Sequence, residues 1–404
     1  MEELAFTPQI NVGRRLSCVK EFSHQDFYDE LTREALQFIK DTLEARFIQV
    51  QKDLVCCERY DRSSEREGYR HGFYERSWTT RMGTIGALRV PRIRGRGGVV
   101  GALIRRYQRR EAVVDEVLLD SFIHGLSTRE ACRVLEKLNG VKVSPTTISR
   151  VFKEMDHEVR AFHTRVLRDE YRYLILDGIE VKVFIGAVCK RQVLCALGIT
   201  EDGREELVGF LLASSESEAS WLALLSDLEK RGLKGEALRL ITADGAGGIW
   251  AAVDQVYPDV ETQSCSFHKM CNATDRLKRR ANRKKFCSEM ADVYEASSVE
   301  GAYRRLRRLS AKWRAREPEA VRVLCDGFEK TVGFYTVPRE DRQKVCTTNI
   351  LERFYEEVRR RLDPMRVLPN TRSLERNFYA RVALFNETRG EEHSVKILEF
   401  PQNS

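Results

Sequence analysis

The chain has 404 residues, and its 69 Lys and Arg against 61 Asp and Glu give a formal net charge of +8. This basic balance favours a polyanionic partner, with DNA or RNA as the default candidate. At roughly 100–200 residues per domain, the length predicts two to four domains. The longest apolar runs, such as 207–213, are far too short to cross a bilayer, which excludes a membrane-spanning protein.

The cysteines and the first residues indicate the cellular compartment. Eleven scattered cysteines, an odd number, are typical of free thiols in a reducing environment. Met1 is followed by Glu2 and Glu3, without the apolar stretch of a secretory signal. We therefore expect a cytoplasmic protein with no membrane partner.

The first 110 residues are predicted to form two segments. Residues 1–60 form an N-terminal helical region, because 27–43 carries a helical apolar period. Residues 61–110 form a basic β and loop segment, with short strands at 77–81 and 87–91 around a turn at Met82-Gly83-Thr84. The Arg- and Gly-rich run 91–98 is either a solvated linker or an arm that follows DNA phosphates.

Three short helices are predicted within 111–160, beginning at about 113. Ser127 and Glu130 form a capping box for the second helix, and the third begins after Ser144, with Pro145 at its first position. Apolar residues at helical spacing are expected to be buried in these helices. They are Val117, Leu118, Phe122, Ala131, Val134, Leu135, Leu138, Ile148, Val151, Phe152 and Met155.

The other face of the third helix is polar and basic, which is typical of a helix-turn-helix domain that reads DNA. The candidate DNA-binding residues on it and at its start are Ser144, Thr146, Thr147, Ser149, Arg150 and Lys153. A three-helix packing unit without DNA contact is the alternative interpretation.

From residue 171 the pattern becomes one of alternating strands and helices. Strands are predicted at 173–183, 192–199, 206–212, 238–243 and near 262–266, with helices at 218–230 and 249–256. Gly203 marks a hairpin turn between the second and third strands. This βββαβαβ order predicts an α/β fold with a ribonuclease-H-like mixed sheet.

The predicted catalytic core consists of two segments separated by an insertion. The first segment covers 171–268, a basic helical insertion covers 269–345, the second segment with a glutamate-bearing helix covers 346–390, and 391–404 form a tail. Charge runs such as 276–280 and 304–308 are usually solvated faces. Here Arg dominates over Lys, which favours phosphate contact for at least some of 276–316.

Three carboxylates are the candidate catalytic and metal-binding residues: Asp177, Asp244 and Glu352. Each aspartate follows an apolar stretch and precedes a glycine, and Asp177-Gly178 is expected to interrupt its strand. Burying such a carboxylate is costly unless a cation accompanies it. Mg²⁺ favours a few carboxylates with water and phosphate oxygens, and two such ions about 3.5–4 Å apart would serve phosphodiester chemistry. Asp-Gly is also a common turn signal, which is the alternative.

Four stretches in order resemble the Mutator-type bacterial insertion-sequence transposases, over roughly 60–390. They are Gly83-Thr84-Ile85 through Val90-Pro91-Arg92, then 125–129 with 143–149, then Cys265-Ser266-Phe267-His268, and last 348–353 with 359–361. The chain departs from the family pattern at Cys271 and at Tyr355, where the family usually has Arg and Asn.

The resemblance implies an Asp-Asp-Glu transposase with the triad Asp177, Asp244 and Glu352, and a helical insertion before the glutamate. It implies binding of double-stranded DNA, both terminal inverted repeats and target, by a homodimer in the bacterial nucleoid. Two Mg²⁺ ions, replaceable by Mn²⁺, are implied, with copy-out through a circular DNA intermediate. The family motifs extend the candidate DNA-binding residues to His268, Lys269, Arg353, Arg359 and Arg360.

Several other residues have competing interpretations. Glu356 is the rival third ligand, and Cys265 with His268 could begin a zinc site completed by Cys271 or Cys287. Trp313 is interpreted as a core or surface residue, although stacking on a base is conceivable. The acids Glu180, Asp254 and Asp259 are interpreted as ordinary surface residues.

Three further functions are considered at this point. A DNA-binding regulator needs the helix-turn-helix but no triad, and a ribonuclease-H-like nuclease would cleave DNA without joining it. An inactive relative would bind the ends without chemistry, but the intact triad argues against it. No Gly-Lys-Ser/Thr phosphate-binding loop is present, so ATP is not implied.

Overall fold

The computed structural model describes residues 24–57, 60, 64, 66–95, 109–140, 142–245 and 247–389. The predicted tail 391–404, residues 1–23 and the basic run after Gly95 lie outside these residues. The chain divides into two compact units, one up to 121 with 126–149, the other 122–125 with everything from 150. Among the described helices, none combines the length and the apolar character that crossing a bilayer requires.

The first unit contains a long helix and a hairpin. Helix α1 (His24–Val55) precedes strands β1 (Tyr69–Thr80) and β2 (Gly83–Arg94), which pair antiparallel. Phe47 of the helix packs with Trp78, Leu88 and Val90 of the hairpin. The predicted hairpin is confirmed, but its strands are longer than the alternating pieces indicated.

Helices α2 (Ala112–Ile123), α3 (Thr128–Asn139) and α4 (Pro145–Val151) confirm the three predicted helices. The capping box at Ser127 is formed, and Gly140 ends α3 in the left-handed conformation with a φ of 66°. The third helix continues beyond α4 through a 3₁₀ turn into α5 (Met155–Thr164).

Three apolar residues of these helices were wrongly predicted to be buried. Val117 is 40% exposed, Val134 is 37% exposed and Leu138 is 74% exposed. Among the described side chains of α3, only Ala131 and Leu135 are buried. These two lie four residues apart, so α3 packs along one row of residues, and Val134 and Leu138 beside that row stay in contact with solvent.

A five-stranded mixed sheet forms the centre of the second unit. Its strands are β3 (Tyr171–Phe184), β4 (Val188–Thr200), β5 (Glu205–Ala213), β6 (Leu240–Ala243) and β7 (Glu261–Ser264). Their order is β5-β4-β3-β6-β7, with β3, β4 and β5 antiparallel and with β6 and β7 parallel to β3. Gly203, with a φ of 84°, forms the predicted hairpin turn between β4 and β5.

Helices pack on both faces of this sheet. The described helices from residue 218 onward are α6 (Glu218–Arg231), α7 (Gly247–Val256), α8 (Ser266–Thr274), α9 (Arg283–Tyr294), α10 (Val299–Trp313), α11 (Pro318–Cys325), α12 (Arg342–Val345), α13 (Asn349–Leu362) and α14 (Thr371–Arg389). Successive strand residues point to opposite faces. Leu174 therefore packs with Trp221 of α6, and Ile175 packs in the cluster that contains Phe354 of α13.

The predicted basic helical stretch is confirmed as helices α8 to α11. Trp313 is 2% exposed, and its indole N–H donates to Glu289 Oε2 at 2.8 Å, so its interpretation as a core residue is confirmed. Glu317, fully buried, accepts hydrogen bonds from the Lys278 backbone and the Asn282 amide, both at 2.6 Å. These bonds anchor the basic loop that joins α8 to α9.

Candidate active site

Asp177 lies in the middle of β3 rather than at its end. The strand runs without a break through Asp177-Gly178, which pair with Cys195 and Leu194 of β4. The expected interruption is therefore wrong. However, β6 pairs with β3 only as far as Leu176, so Asp177 occupies the level at which the neighbouring strand ends.

The Asp177 carboxyl group is buried, with one hydrogen-bond donor and the charge of His268 to offset the burial. It is 7% exposed, and among the described residues its only hydrogen bond comes from the Gly178 N–H, 2.9 Å from Oδ1. Burial, together with the charges of Glu352 and Asp244, raises the pKa of Asp177 to about 7 against the opposing effects of the Gly178 N–H and His268. This environment suits a bound cation, which would offset the cost of burying charge.

Asp244 and Glu352 reach this position from two other elements. Asp244 is the residue after β6, and its half-buried side chain lies close enough to raise the pKa of Asp177. Glu352 lies in the first turn of α13, whose apolar face packs on the side of the sheet to which Asp177 points. The structure therefore brings all three predicted carboxylates to one end of the sheet.

His268 joins the carboxylates. Its Nε2 lies 3.4 Å from Glu352 Oε1, and its Nδ1 lies 3.4 Å from the Thr348 hydroxyl. A hydrogen bond with Cys265 and the charges of Asp177 and Asp244 raise the pKa of His268 to about 9, against the effect of burial. A protonated His268 therefore partly balances the negative charge of this end of the sheet.

The carboxylates are close neighbours but are not drawn together around one point. Among the described residues, no three His, Cys, Asp or Glu side chains are arranged to hold a metal ion as they stand. The ion pair with His268 directs Glu352 toward the imidazole. A cation bound between Asp177, Asp244 and Glu352 would therefore require rotation of these side chains.

The sequence comparison decides the family. The model of the family described as "Transposase, Mutator family" matches residues 11–391. The chain belongs to the Mutator family of transposases. It is 36% identical over 314 residues to the transposase for insertion sequence element ISRM5 of Rhizobium meliloti (strain 1021), covering 78% of each chain.

Other Mutator-family relatives are also insertion-sequence transposases. The chain is 31% identical over 328 residues to the transposase for IS256 in transposon Tn4001 of Staphylococcus aureus, covering 80% of this chain and 83% of the relative. It is 31% identical over 320 residues to the transposase for IS905 of Lactococcus lactis subsp. lactis (strain IL1403), covering 79% and 80%. Transposases act on DNA, so DNA is the substrate class of this family.

The candidate DNA-binding residues of this Mutator-family chain differ in accessibility. Ser144, Thr146, Ser149, Arg150 and Lys153 are exposed, and Thr147 is half-buried. The Ser144 hydroxyl caps α4 by accepting from the Thr147 N–H at 3.2 Å, so a structural contact already uses it.

The remaining candidates lie on α8 and α13. Arg353 and Arg359 are exposed, and Arg360 is exposed but paired with Glu357 at 2.5 Å. The Lys269 ammonium donates to the Asp326 backbone carbonyl, so Lys269 is committed to a contact within the protein.

The structure also places the residues that had competing interpretations. Glu356 is exposed, as are Asp254 and Asp259. Glu180 pairs with Lys190 at 2.8 Å. Within the described residues, Cys265 and His268 gain no third ligand that would complete a zinc site.

One carboxylate near the site was missed by the sequence analysis. Glu216 lies in the Ser- and Glu-rich segment between β5 and α6, and burial together with the charge of Asp244 raises its pKa. In the sequence, Glu216 is marked only by its position just before the helix that follows the third strand of the sheet.

Proposed function

We propose that this chain is an Asp-Asp-Glu transposase of an insertion sequence, with a ribonuclease-H-like core that cleaves and joins DNA strands with the help of Mg²⁺. The observation that carries the proposal is Asp177. It is a buried carboxylate that accepts one backbone N–H among the described residues and lies next to Asp244, Glu352 and His268, in a chain of the Mutator family. The strand order β5-β4-β3-β6-β7 supports the ribonuclease-H-like core.

The reaction consists of two phosphodiester exchanges. Water attacks the phosphorus at the transposon end, and the 3′ oxygen leaves as a free hydroxyl. This hydroxyl then attacks a phosphodiester of the target, and the target's own 3′ oxygen leaves. One bond forms as one breaks in the joining step, so neither ATP nor a covalent protein intermediate is needed.

The residues of the site have distinct roles in this proposal. Asp177, Asp244 and Glu352 would hold two Mg²⁺ ions, which when bound activate an attacking hydroxyl and stabilise a leaving oxygen. His268, held by Cys265 and Thr348, keeps a positive charge beside the carboxylates and orients Glu352. Donation from its Nε2–H to a DNA phosphate oxygen would require that N–H to leave Glu352.

The helices before the core supply the proposed DNA recognition. In a helix-turn-helix the second helix enters the major groove with its first residues at base edges. Thr146, Ser149 and Arg150 form such an exposed polar face on α4, and Lys153 extends it. The exposed arginines of α10, which are Arg304, Arg305, Arg307 and Arg308, would contact DNA phosphates.

Replacing Arg150 by Ala tests the helix-turn-helix. Loss of a bidentate base contact is expected to weaken binding to the element's terminal repeat by about 1–3 kcal/mol, roughly 5- to 150-fold. Lys137→Ala, which removes an exposed cation of α3, is the matched control. Binding of terminal-repeat and scrambled duplexes is measured by fluorescence anisotropy. If the affinity for both duplexes falls equally, Arg150 takes no part in recognising the DNA sequence.

Removal of the metal tests the chemistry. Purified full-length protein with labelled terminal-repeat DNA is expected to nick and join strands in Mg²⁺ or Mn²⁺, and to lose both activities in EDTA while still binding the DNA. Nicking without joining would favour the nuclease, and binding with neither activity would favour a regulator. Activity that persists in EDTA would overturn the proposed chemistry.

Two further properties are proposed only because the chain belongs to the Mutator family. The protein would act as a homodimer on the two ends of its element, and it would copy the element out through a circular DNA intermediate. Size-exclusion chromatography with light scattering on end-bound complexes tests the first. Amplification across the junction of the circle tests the second.

A further inference from the structure

Glu216 approaches the acidic end of the sheet from the face opposite to Glu352. Asp177 points toward the α13 side, so its neighbour Gly178 faces the α6 side. A Cβ placed on Gly178 would lie 3.5 Å from Glu216 Oε2. The Glu216 carboxylate therefore lies within van der Waals reach of the residue beside Asp177.

The Glu216 side chain is held in this position by a buried donor. The indole N–H of Trp221 donates to Glu216 Oε1 at 3.3 Å, and Trp221 is fully buried in the core beneath α6. This contact uses one carboxylate oxygen. The other oxygen, Oε2, is the one nearest to Gly178.

Helix α7, which follows Asp244 in the chain, is packed against the same segment. A Cβ on Gly248, in the first turn of α7, would lie 2.7 Å from the Glu218 backbone nitrogen and 3.3 Å from the Ser217 carbonyl carbon. Only glycine permits so close an approach. The start of α7, four residues after Asp244, is therefore fixed against the residues that follow Glu216.

From this geometry, and resting on the proposed function, we propose that Glu216 is a fourth carboxylate of the active site that takes part in binding the divalent cations. Asp177, Asp244 and Glu352 provide three carboxylates for two divalent ions, and water and phosphate oxygens complete the coordination. Glu216 Oε2 adds a charge on the α6 side, where it binds a cation directly or accepts a hydrogen bond from a water that a cation holds.

A purely structural role for Glu216 makes a different prediction. If Glu216 only accepts the Trp221 N–H, the amide oxygen of glutamine replaces it without loss. If its negative charge serves the cations, Glu216→Gln weakens cation binding although the fold is kept, and Glu216→Asp retains some of the affinity.

The test is Mn²⁺ binding to the full-length protein without DNA, followed by electron paramagnetic resonance. Glu216→Gln is expected to lower the Mn²⁺ affinity by about 10-fold or more, as is usual for carboxylates around a metal. Glu218→Gln, an exposed acid two residues away that contacts Gln255, is the matched control and should bind as the unchanged protein does. Thermal unfolding confirms that each variant is folded.

The outcomes separate this proposal from the proposed function. If Asp177→Asn loses Mn²⁺ binding while Glu216→Gln matches Glu218→Gln, the role of Glu216 is overturned and the triad stands. If Asp177→Asn binds Mn²⁺ as well as the unchanged protein, the proposed metal site itself fails. Equal losses in Glu216→Gln and Glu216→Asp, with both folded, would also contradict a role for the charge.

Discussion

Asp177→Asn is expected to lower strand cleavage and joining by about 1,000-fold or more, because a bound metal supplies several kcal/mol of transition-state stabilisation and each 1.4 kcal/mol is tenfold. Asparagine keeps the shape of the side chain and loses its charge. Binding of terminal-repeat DNA should be unchanged, since Asp177 is buried within the sheet. The measurement is single-turnover cleavage of labelled end DNA beside an anisotropy titration.

The same variant should unfold at an equal or higher temperature than the unchanged protein. Burial disfavours the charged carboxylate of Asp177, so the neutral amide removes a cost of folding. Asp259→Asn, at an exposed acid, is the control and should cleave normally. Mg²⁺-dependent strand transfer at the normal rate by Asp177→Asn would refute its place in the triad.

Glu352→Gln and Glu356→Gln should differ sharply although they lie one turn apart on α13. Glu352 is half-buried and contacts His268 at 3.4 Å, whereas Glu356 is exposed. The first change is expected to lower cleavage by about 1,000-fold for the reason given for Asp177. The second should leave cleavage within about twofold, because changes at exposed positions remote from a site alter free energies by only about 0.5 kcal/mol.

The pair is informative because both variants remove one charge from the same helix. Thermal unfolding and DNA binding should be alike in the two, so a difference in cleavage can only come from position. If Glu356→Gln is the inactive variant, then Glu356 is the third ligand, and the orientation of Glu352 toward His268 serves another purpose.

Local signals in the sequence predicted much of the fold. The capping box at Ser127 and the turn at Gly203 each follow from residues adjacent in the chain. The order of strands and helices from 171 to 264 follows from hydrophobic periodicity in the same way. These features depend on short-range chemistry, which a single sequence contains.

Features that depend on distant partners were not predicted. Asp177-Gly178 looks like the end of a strand because glycine is a turn signal, but pairing with Cys195 of β4 carries the strand onward. Val134 and Leu138 have helical spacing, yet how much of a helix face is covered depends on its neighbours. The Glu216 carboxylate was missed because Gly178 and Trp221, which locate it, belong to other elements.

The unbroken course of β3 gives the three carboxylates unequal freedom. Asp177 is anchored in a ladder with β4, while Asp244 follows the last residue of its strand and Glu352 is turned toward an imidazole. Under the proposed mechanism an arriving ion meets one ligand whose backbone is held in a strand ladder, and the side chains reorient around it. Reaction without a properly seated substrate is then disfavoured, which protects the host chromosome from stray nicks.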